Sequence, residues 1–371
     1  MEIKDTKIEL IDTDSRLVLK KTTTSDGKEI YNRKLAVCNS IYSCERQRLV
    51  YGKTMFNSVF QTHHIGWDNK EEEWDYKGLK KAQEHAKLND RIFVPYKQRS
   101  EKQWENLRWK ESGNEAEEFQ KKTEVVPFPI PLNASLEELK VKKKKALELL
   151  EPNQELMVVI SSKHLNLKEF PYIIKEELKN SKFFGICCYG ISDVIERRNL
   201  SYLNSINSSF KVGQKIALIF CFDYFRILKS HSSVAGCFAF SCFGGDIFSE
   251  RAYFPRGWDK KTFEKVFGKK PAQYPLYDTK EKKFTTSFPQ KEWYGFDFTK
   301  SFMDRISVSE GLTGYNSIKW INHHLQQTDL NLINEILISK KNVIESLKNY
   351  TGWSVFWDTT KPNSPEIQKT L

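Results

Sequence analysis

The sequence predicts an α/β fold in which strands and helices alternate, and two observations support this prediction. Between Phe183 and Phe248 lie three apolar runs rich in Phe, Ile, Val and Cys, each too short for a free-standing helix. Helical or loop-like segments separate these runs, as expected where crossover connections join buried parallel strands. At least five strand–helix units can be counted between Arg91 and Phe248, and this alternation is typical of a barrel or of a doubly wound sheet.

The amino-terminal part predicts further strands and helices. Residues 1–55 alternate polar and apolar positions around an SDGKE turn, which predicts a β-rich extension. His63 and His64 then lie side by side on a predicted strand. Adjacent strand side chains point to opposite faces, so the pair cannot bind one metal ion, and we expect one packed and one solvated histidine. A charged, tryptophan-rich region over 70–120 predicts two helices and a strand, and Ser135 begins a helix with a capping box.

Composition limits the class of protein. The 371 residues are enough to bury a core without disulfides or metal. None of the seven cysteines has Cys-x-x-Cys spacing, and most lie in apolar runs, as reduced core thiols do. The charged amino terminus lacks a signal core, and no run approaches the ~18 apolar residues of a membrane span. We therefore predict a cytoplasmic protein with no membrane partner, no metal and no cofactor.

The charge balance bears on the partner. Lys and Arg number 59 and Asp and Glu 48, which gives a net charge of +11. Positive charge favours polyanions such as tRNA or DNA. A lysine-rich solvated surface explains the same number without any partner, so the charge alone leaves both alternatives open.

The central runs also carry the spacing of three motifs. The matching residues are Gly185, Ile186, Gly190, Ile191 and Ser192 in the first, Leu218, Ile227 and Leu228 in the second, and Gly236, Phe240 and Cys242 in the third. This pattern resembles that of tRNA-guanine transglycosylases, which exchange guanine in tRNA, with relatives that act on DNA. The resemblance implies a (β/α)8 TIM-like barrel over 56–250, and helices over 311–371 that close it.

The chain departs from the family pattern where the family contacts its substrate base. Tyr189, Phe220 and Phe222 stand where the family has glycines, and Ser241 stands at the position of the catalytic aspartate. Glycines at such turns let a ligand approach the backbone, so aromatic rings there would fill the space of a purine. The resemblance implies a substrate pocket lined by Ser161, Ser162, Tyr189, Gly190, Phe220, Phe222 and Ser241.

Two aspartates are candidates for catalytic carboxylates that lie at other positions than in the family pattern. Asp223 and Asp246 lie at or just beyond predicted strand ends, where active sites of parallel α/β folds are built. Glycosyl exchange needs a carboxylate on the sugar carbon and a second acid–base group. Each aspartate is equally explained as an ordinary loop acid or helix cap.

Residues 251–310 predict a basic, aromatic insertion in place of the family's zinc subdomain. No cysteine follows Glu250, so a zinc site built on cysteines is excluded there. Basic residues interleaved with aromatic ones suit a nucleic-acid surface. The candidate contacts are Arg251, Arg256, Lys260, Lys261, Lys269 and Lys270.

Three functional hypotheses follow. The first is a nucleic-acid-binding protein in which base exchange is lost or altered. The second is an active transglycosylase-type enzyme that modifies guanine in tRNA or DNA with relocated carboxylates. The third is a scaffold subunit of a nucleic-acid-processing or defence complex, and a homodimer or a protein complex is compatible with each.

Overall fold

The structure is a computed structural model. It describes residues 2–39, 58–69, 71–167, 170–188, 203–224, 227–228, 231–242, 244–251, 276–279, 281–285, 312–339 and 342–348.

Strands and helices alternate through most of these residues. The strands are β1 (Ile3–Ile11), β2 (Val18–Thr24), β3 (Glu29–Tyr31), β4 (Lys34–Leu35), β5 (Phe60–Asp68), β6 (Glu73–Asp75), β7 (Ile92–Lys97), β8 (Val125–Pro129), β9 (Glu155–Ser161), β10 (Phe183–Cys187), β11 (Leu218–Tyr224), β12 (Ile227–Leu228), β13 (His231–Ala235), β14 (Ile247–Glu250), β15 (Leu276–Asp278) and β16 (Lys283–Thr285). The helices are α1 (Leu79–Leu88), α2 (Glu101–Glu105), α3 (Trp109–Gln120), α4 (Leu136–Glu148), α5 (Phe170–Asn180), α6 (Gly236–Cys242), α7 (Leu312–Ser339) and α8 (Val343–Leu347).

The largest sheet is parallel throughout and has six strands. Their order is β4, β14, β11, β10, β9 and β8. A second sheet has the order β6, β5, β7, in which β5 and β7 are parallel and β6 is antiparallel. Val37 links the two sheets, because its N–H donates to Phe60 O and its carbonyl accepts from Thr62 N, both at 2.9 Å.

The predicted (β/α)8 barrel is wrong: the structure is a mixed α/β arrangement with separate sheets. Besides β6, antiparallel pairing joins β2 to both β1 and β3, β12 to β13, and β15 to β16. Although β7 lies beside β8, β8 pairs only with β9 among the described strands.

Two prolines explain why the parallel sheet stops at β8. Ile130 N donates to Val159 O at 2.9 Å, so the alternate amides of β8, including that of Phe128, point towards β9. The nitrogens of Pro127 and Pro129 point the other way and carry no hydrogen. A strand edge that lacks two successive donors on this side does not extend a ladder, so β8 forms the edge of the sheet.

Aromatic side chains from the two sheets pack against each other. Phe60 meets Phe220 edge to face at 5.2 Å between ring centroids. Tyr96 stacks on Phe222 at 4.3 Å with 7° between the ring planes. This apolar interior brings the carboxyl ends of β5, β7, β10, β11 and β14 to one side of the molecule.

Local signals predicted several helices correctly. The helix predicted over Phe170–Asn180 is confirmed, and the Ser135 capping box with Glu138 is present at the start of α4. The third apolar run was interpreted as a strand, and this is wrong. Its residues Gly236–Cys242 form α6, and the strand β14 begins only at Ile247. A short, fully buried apolar run lacks the periodicity that separates helix from strand.

The long helix α7 covers β4. The Gln327 side chain accepts from Leu35 N at 2.7 Å and donates to Arg33 O at 3.1 Å. Asn334 donates to Asn32 O at 2.6 Å and accepts from the buried Arg33 guanidinium at 2.9 Å. Side-chain amides of α7 therefore satisfy backbone groups that no neighbouring strand reaches.

None of the helices within the described ranges combines the length and the hydropathy needed to cross a bilayer.

Candidate functional site

The carboxyl ends of five strands bring a group of polar side chains together. We call this group the Asp223 cluster; it comprises Thr62, His64, Tyr96, Gln98, Cys187, Asp223, Ser249 and Arg251. The parallel register explains the meeting, because His64 lies opposite Tyr96, Cys187 opposite Phe222, and Phe222 opposite Ser249. The carboxyl edge of a parallel sheet is where ligands bind in open α/β folds.

The backbone of Asp223 is unusual. Its φ is 58°, in the left-handed region that non-glycine residues other than Asn and Asp rarely occupy. The pairing of β11 with β14 shifts register at this point, between Phe222 and Tyr224. Phe222 stacks on Tyr96 while Asp223 contacts His64, so the irregularity turns two successive side chains towards the same interior. Such strain in a buried residue is typical of a functional position.

The carboxylate of Asp223 is fully buried and has only long contacts. Oδ1 lies 3.2 Å from His64 Nδ1, yet it accepts no well-aligned hydrogen bond from the described residues. Oδ2 accepts from the Cys187 thiol at 3.6 Å and lies 3.9 Å from Arg251 Nη1. A buried carboxylate with spare acceptor capacity can receive a donor or react with a ligand.

His64 connects Asp223 to two hydroxyl groups. Its Nδ1 lies 3.2 Å from Gln98 Oε1, and its Nε2 lies 2.7 Å from Ser249 Oγ. Ser249 Oγ is in turn 2.6 Å from Thr62 Oγ1. Asn39 holds the backbone of His64, accepting from its N–H at 2.8 Å and donating to its carbonyl at 2.9 Å. The imidazole is therefore fixed at both its ring and its backbone.

Tyr96 forms the aromatic wall of the cluster. Its ring stacks on Phe222 and meets the His64 ring edge to face at 5.4 Å. Burial, and then the negative charge of Asp223, raise the pKa of the Tyr96 phenol well above its ordinary value. The phenol therefore stays neutral beside Asp223 at physiological pH.

Asp246, the second predicted catalytic carboxylate, lies at the other end of the strands. It precedes β14, accepts from Ile219 N at 2.8 Å, and is paired with Lys20 Nζ at 2.6 Å and Asn32 Nδ2 at 2.7 Å. The parallel register places it opposite Ile219, four residues before Asp223 on β11, which is a strand distance of roughly 13 Å. The structure does not bring the two aspartates together, and Asp246 forms a buried ion pair.

The predicted pocket residues fall in different places. Ser161 begins a 3-10 turn over Ser162–Asn166, and its Oγ accepts from Lys163 N at 3.1 Å. Phe220 and Phe222 stack in the interior at 5.5 Å. Ser241 lies on α6, where its hydroxyl donates to Phe238 O at 2.8 Å. Tyr189 and Gly190 lie outside the described residues.

Of the predicted nucleic-acid contacts, only Arg251 is described. It follows β14 directly, and its N–H donates to Tyr224 O at 3.0 Å. Its side chain is 24% exposed, unlike the fully buried Asp223 beside it. The other predicted contacts lie outside the described residues: Arg256, Lys260, Lys261, Lys269 and Lys270.

The expectation of one packed and one solvated histidine on β5 is wrong. His63 and His64 are only 2% and 1% exposed, and they lie on opposite faces of the strand. Burial lowers the pKa of His63 to about 4. The sequence did contain a signal for His64. One of two adjacent histidines on a strand faces the interior, and a buried polar side chain needs hydrogen-bond partners on that face. Ser249 carried no comparable signal, because a single serine in an apolar strand is common.

A third histidine makes stability depend on pH. His164 is buried between Ser161 and Pro131, and burial lowers its pKa to about 4. Since the unfolded chain binds a proton near pH 6.5 and the folded chain does not, stability is lost as pH falls from about 6.5 to 4. The loss is about 3 kcal/mol at 1.36 kcal/mol per pKa unit. Denaturant titrations at several pH values should show His164→Gln losing less than the wild type.

The partly exposed His324 supplies a control for this comparison. A His324→Gln variant should keep the acid sensitivity of the wild type. If His164→Gln kept it too, the neutral, buried state assigned to His164 would be wrong.

Metal ligation and similarity to known proteins add no further assignment. Within the part of the chain that the structure describes, no three His, Cys, Asp or Glu side chains are placed to hold a metal ion. No protein-family model matches the chain, and no curated protein matches it. The resemblance to tRNA-guanine transglycosylases therefore stays a prediction from the motifs.

Proposed function

We propose that the protein is a nucleic-acid-binding enzyme that exchanges a base through the carboxylate of Asp223. The observation that carries the proposal is the strained, buried Asp223 between His64 and Arg251 at the carboxyl ends of the strands. Backbone strain and burial both make an aspartate at this position costly for stability. We therefore attribute its presence to a function of its carboxylate.

The reaction follows from the groups in the cluster. Asp223 attacks the sugar carbon that bears the base, so that a C–O bond forms as the C–N glycosidic bond breaks. The leaving base keeps the electron pair of that bond and takes up a proton from water. An incoming base then attacks the sugar carbon, the carboxylate leaves with the electron pair of its C–O bond, and the proton of the incoming base returns to water. The contact of His64 Nδ1 with Oδ1 keeps the carboxylate oriented during both steps.

Nucleic acid as the substrate is supported by charge and by position. The net charge of +11 favours a polyanion. Arg251 is the partly exposed member of the Asp223 cluster, and its cation lies 3.9 Å from the reacting carboxylate. A guanidinium there can bind a phosphate of the nucleotide whose sugar meets Asp223.

We place this activity in the cytoplasm. The cysteines in the described ranges are all free and buried, namely Cys38, Cys187, Cys188, Cys221, Cys237 and Cys242. Free thiols in such number are typical of proteins kept in a reducing compartment.

The proposal is tested by anisotropy titrations and by base exchange. Bulk tRNA, duplex DNA and single-stranded DNA are titrated against the full chain at several salt concentrations, and uptake of labelled guanine into each is measured. We expect salt-dependent binding to one of the three and exchange in the same one. Arg251→Gln should weaken binding and lower the salt slope by about one unit, because one phosphate contact is lost.

Arg108→Gln removes the same charge from an exposed position at the start of α3 and should leave the slope unchanged. Absence of salt-dependent binding to all three nucleic acids would overturn the proposal. Binding without exchange of a base would contradict the catalytic part of the proposal and would favour a protein that only binds nucleic acid.

A further inference from the structure

We infer that the Tyr96 hydroxyl binds the 2′-oxygen of the nucleotide whose base is exchanged, so that the site favours ribonucleotides over deoxyribonucleotides. This inference rests on the proposed function, in which Asp223 attacks the sugar carbon that bears the base. It assigns a task to a buried hydroxyl group that the proposed reaction leaves unused.

The Tyr96 hydroxyl is buried and has no well-aligned hydrogen-bond partner among the described residues. Tyr96 is 1% exposed, and its ring packs on those of Phe222 and His64. The Cys187 thiol and the Asp223 carboxylate are its polar neighbours. The thiol gives its hydrogen to Asp223 Oδ2, and sulfur is only a weak acceptor. Buried hydroxyl groups in proteins are normally hydrogen-bonded, so this one is suited to receive a group of the substrate.

The other groups beside the carboxylate already have partners or a task. His64 contacts Gln98 through Nδ1 and Ser249 through Nε2. The proposed function assigns the Arg251 guanidinium to a phosphate. Tyr96 is therefore the neighbour of the carboxylate with hydrogen-bonding capacity left for the sugar.

The direction of attack determines which sugar atom lies beside the phenol. A carboxylate that displaces a base approaches the sugar carbon from the face opposite the base. In a ribonucleotide the 2′-hydroxyl lies on that same face, next to the attacked carbon, and hydrogen bonds to it strengthen in the transition state. A group that adjoins the attacking carboxylate, as Tyr96 adjoins Asp223, therefore faces the 2′ position.

The hydrogen-bonding capacities of the three groups are complementary. An ionised carboxylate only accepts, so the 2′-hydroxyl gives its hydrogen to Asp223. The 2′-oxygen then accepts from the phenol, which keeps its proton because burial and the charge of Asp223 raise the pKa of Tyr96 well above its ordinary value. A deoxyribonucleotide offers no oxygen at this position, and the phenol gains no partner.

Two tyrosine variants test the inference. Tyr96→Phe removes the hydroxyl and keeps the ring. Tyr277→Phe is the matched control, since Tyr277 is also buried but its hydroxyl donates to Asp329 at 2.8 Å. Uptake of labelled guanine by each full-length protein is measured on a tRNA transcript and on a DNA of the same sequence. The change in the ratio of the two kcat/KM values between proteins cancels the difference in intrinsic reactivity between the two nucleic acids.

We expect the wild type to favour the tRNA transcript over the DNA by roughly ten- to a hundredfold more than Tyr96→Phe does. Tyr277→Phe should keep the wild-type ratio. An equal ratio in the wild type and Tyr96→Phe, or exchange in the DNA alone, would overturn the inference and leave the proposed function intact.

Binding gives a readout that does not need exchange. The preference in affinity for the transcript over the DNA should fall in Tyr96→Phe and not in Tyr277→Phe. If this fall is found without any exchange, the catalytic part of the proposed function fails while the contact of Tyr96 stands. Absence of binding to both nucleic acids would overturn the inference together with the proposed function.

The stability of the free protein supplies the last test. In urea titrations Tyr96→Phe should keep or raise the unfolding midpoint, because its hydroxyl makes no bond that the variant loses. Tyr277→Phe should lower the midpoint, because Asp329 loses a donor. A comparable fall in Tyr96→Phe would show that the Tyr96 hydroxyl has a partner within the protein and would overturn the inference.

Discussion

Asp223→Asn is expected to reduce base exchange by roughly ten-thousandfold or more, since loss of a reacting side chain costs on the order of 10⁴ to 10⁶ in kcat. An amide cannot form the covalent bond to the sugar, and it places no negative charge beside His64. The measurement is initial-rate uptake of labelled base into the nucleic acid that binds. Affinity for that nucleic acid should change little, because Arg251 keeps its position.

Asparagine is the informative replacement because the backbone at residue 223 is left-handed. Asn tolerates a φ near 58° better than most residues, so the variant should fold with an almost unchanged free energy of unfolding. Asp329→Asn provides the matched control, since Asp329 is also buried but is bonded to Tyr277 and Lys282 at 2.8 and 2.7 Å. Full activity in Asp223→Asn would contradict the assignment of the reacting carboxylate.

Lys20→Met is expected to destabilise the protein by about 3–5 kcal/mol, because it leaves the buried carboxylate of Asp246 without its cation. Both partners of this pair are completely buried, and Nζ lies 2.6 Å from Oδ2. Asn32 and Ile219 N keep their hydrogen bonds to Asp246 but bring no charge. Denaturant titration by circular dichroism measures the change in the free energy of unfolding.

An exposed ion pair of the same length is the control. Lys163 Nζ also lies 2.6 Å from a carboxylate, that of Glu105, but these side chains are 37% and 53% exposed. Lys163→Met should cost less than about 1 kcal/mol. A double variant, Lys20→Met with Asp246→Asn, should recover part of the loss. Equal losses in the two lysine variants would mean that burial does not set the energy of the Lys20–Asp246 pair.

Local sequence features predicted single elements better than their assembly. The strand of Phe183–Cys187 and the helix of Phe170–Asn180 follow from apolar patterning, which depends on residues close together in the chain. The end of the parallel sheet depends on which side of β8 the prolines face, and that follows only from its pairing with β9. The sequence contained Pro127 and Pro129, but not the direction of their nitrogens.

The same distinction applies to the Asp223 cluster. Asp223 was predicted because a carboxylate at the end of an apolar strand is visible locally. His64 and Ser249 are 185 residues apart in the chain, and their hydrogen bond depends on the register of two separate sheets. No periodicity encodes such a contact. Asp246 directly precedes β14, and a carboxylate just outside a strand looks the same in sequence at either end.

The cover that α7 provides for β4 has a consequence for synthesis on the ribosome. Leu35 N and Arg33 O find their partner only when Gln327 is made, 292 to 294 residues later. At about 5–20 residues per second this delay is on the order of 15–60 s. The growing chain therefore carries an incomplete sheet edge throughout this interval, and chaperones that shield such edges should influence its yield more than its final stability.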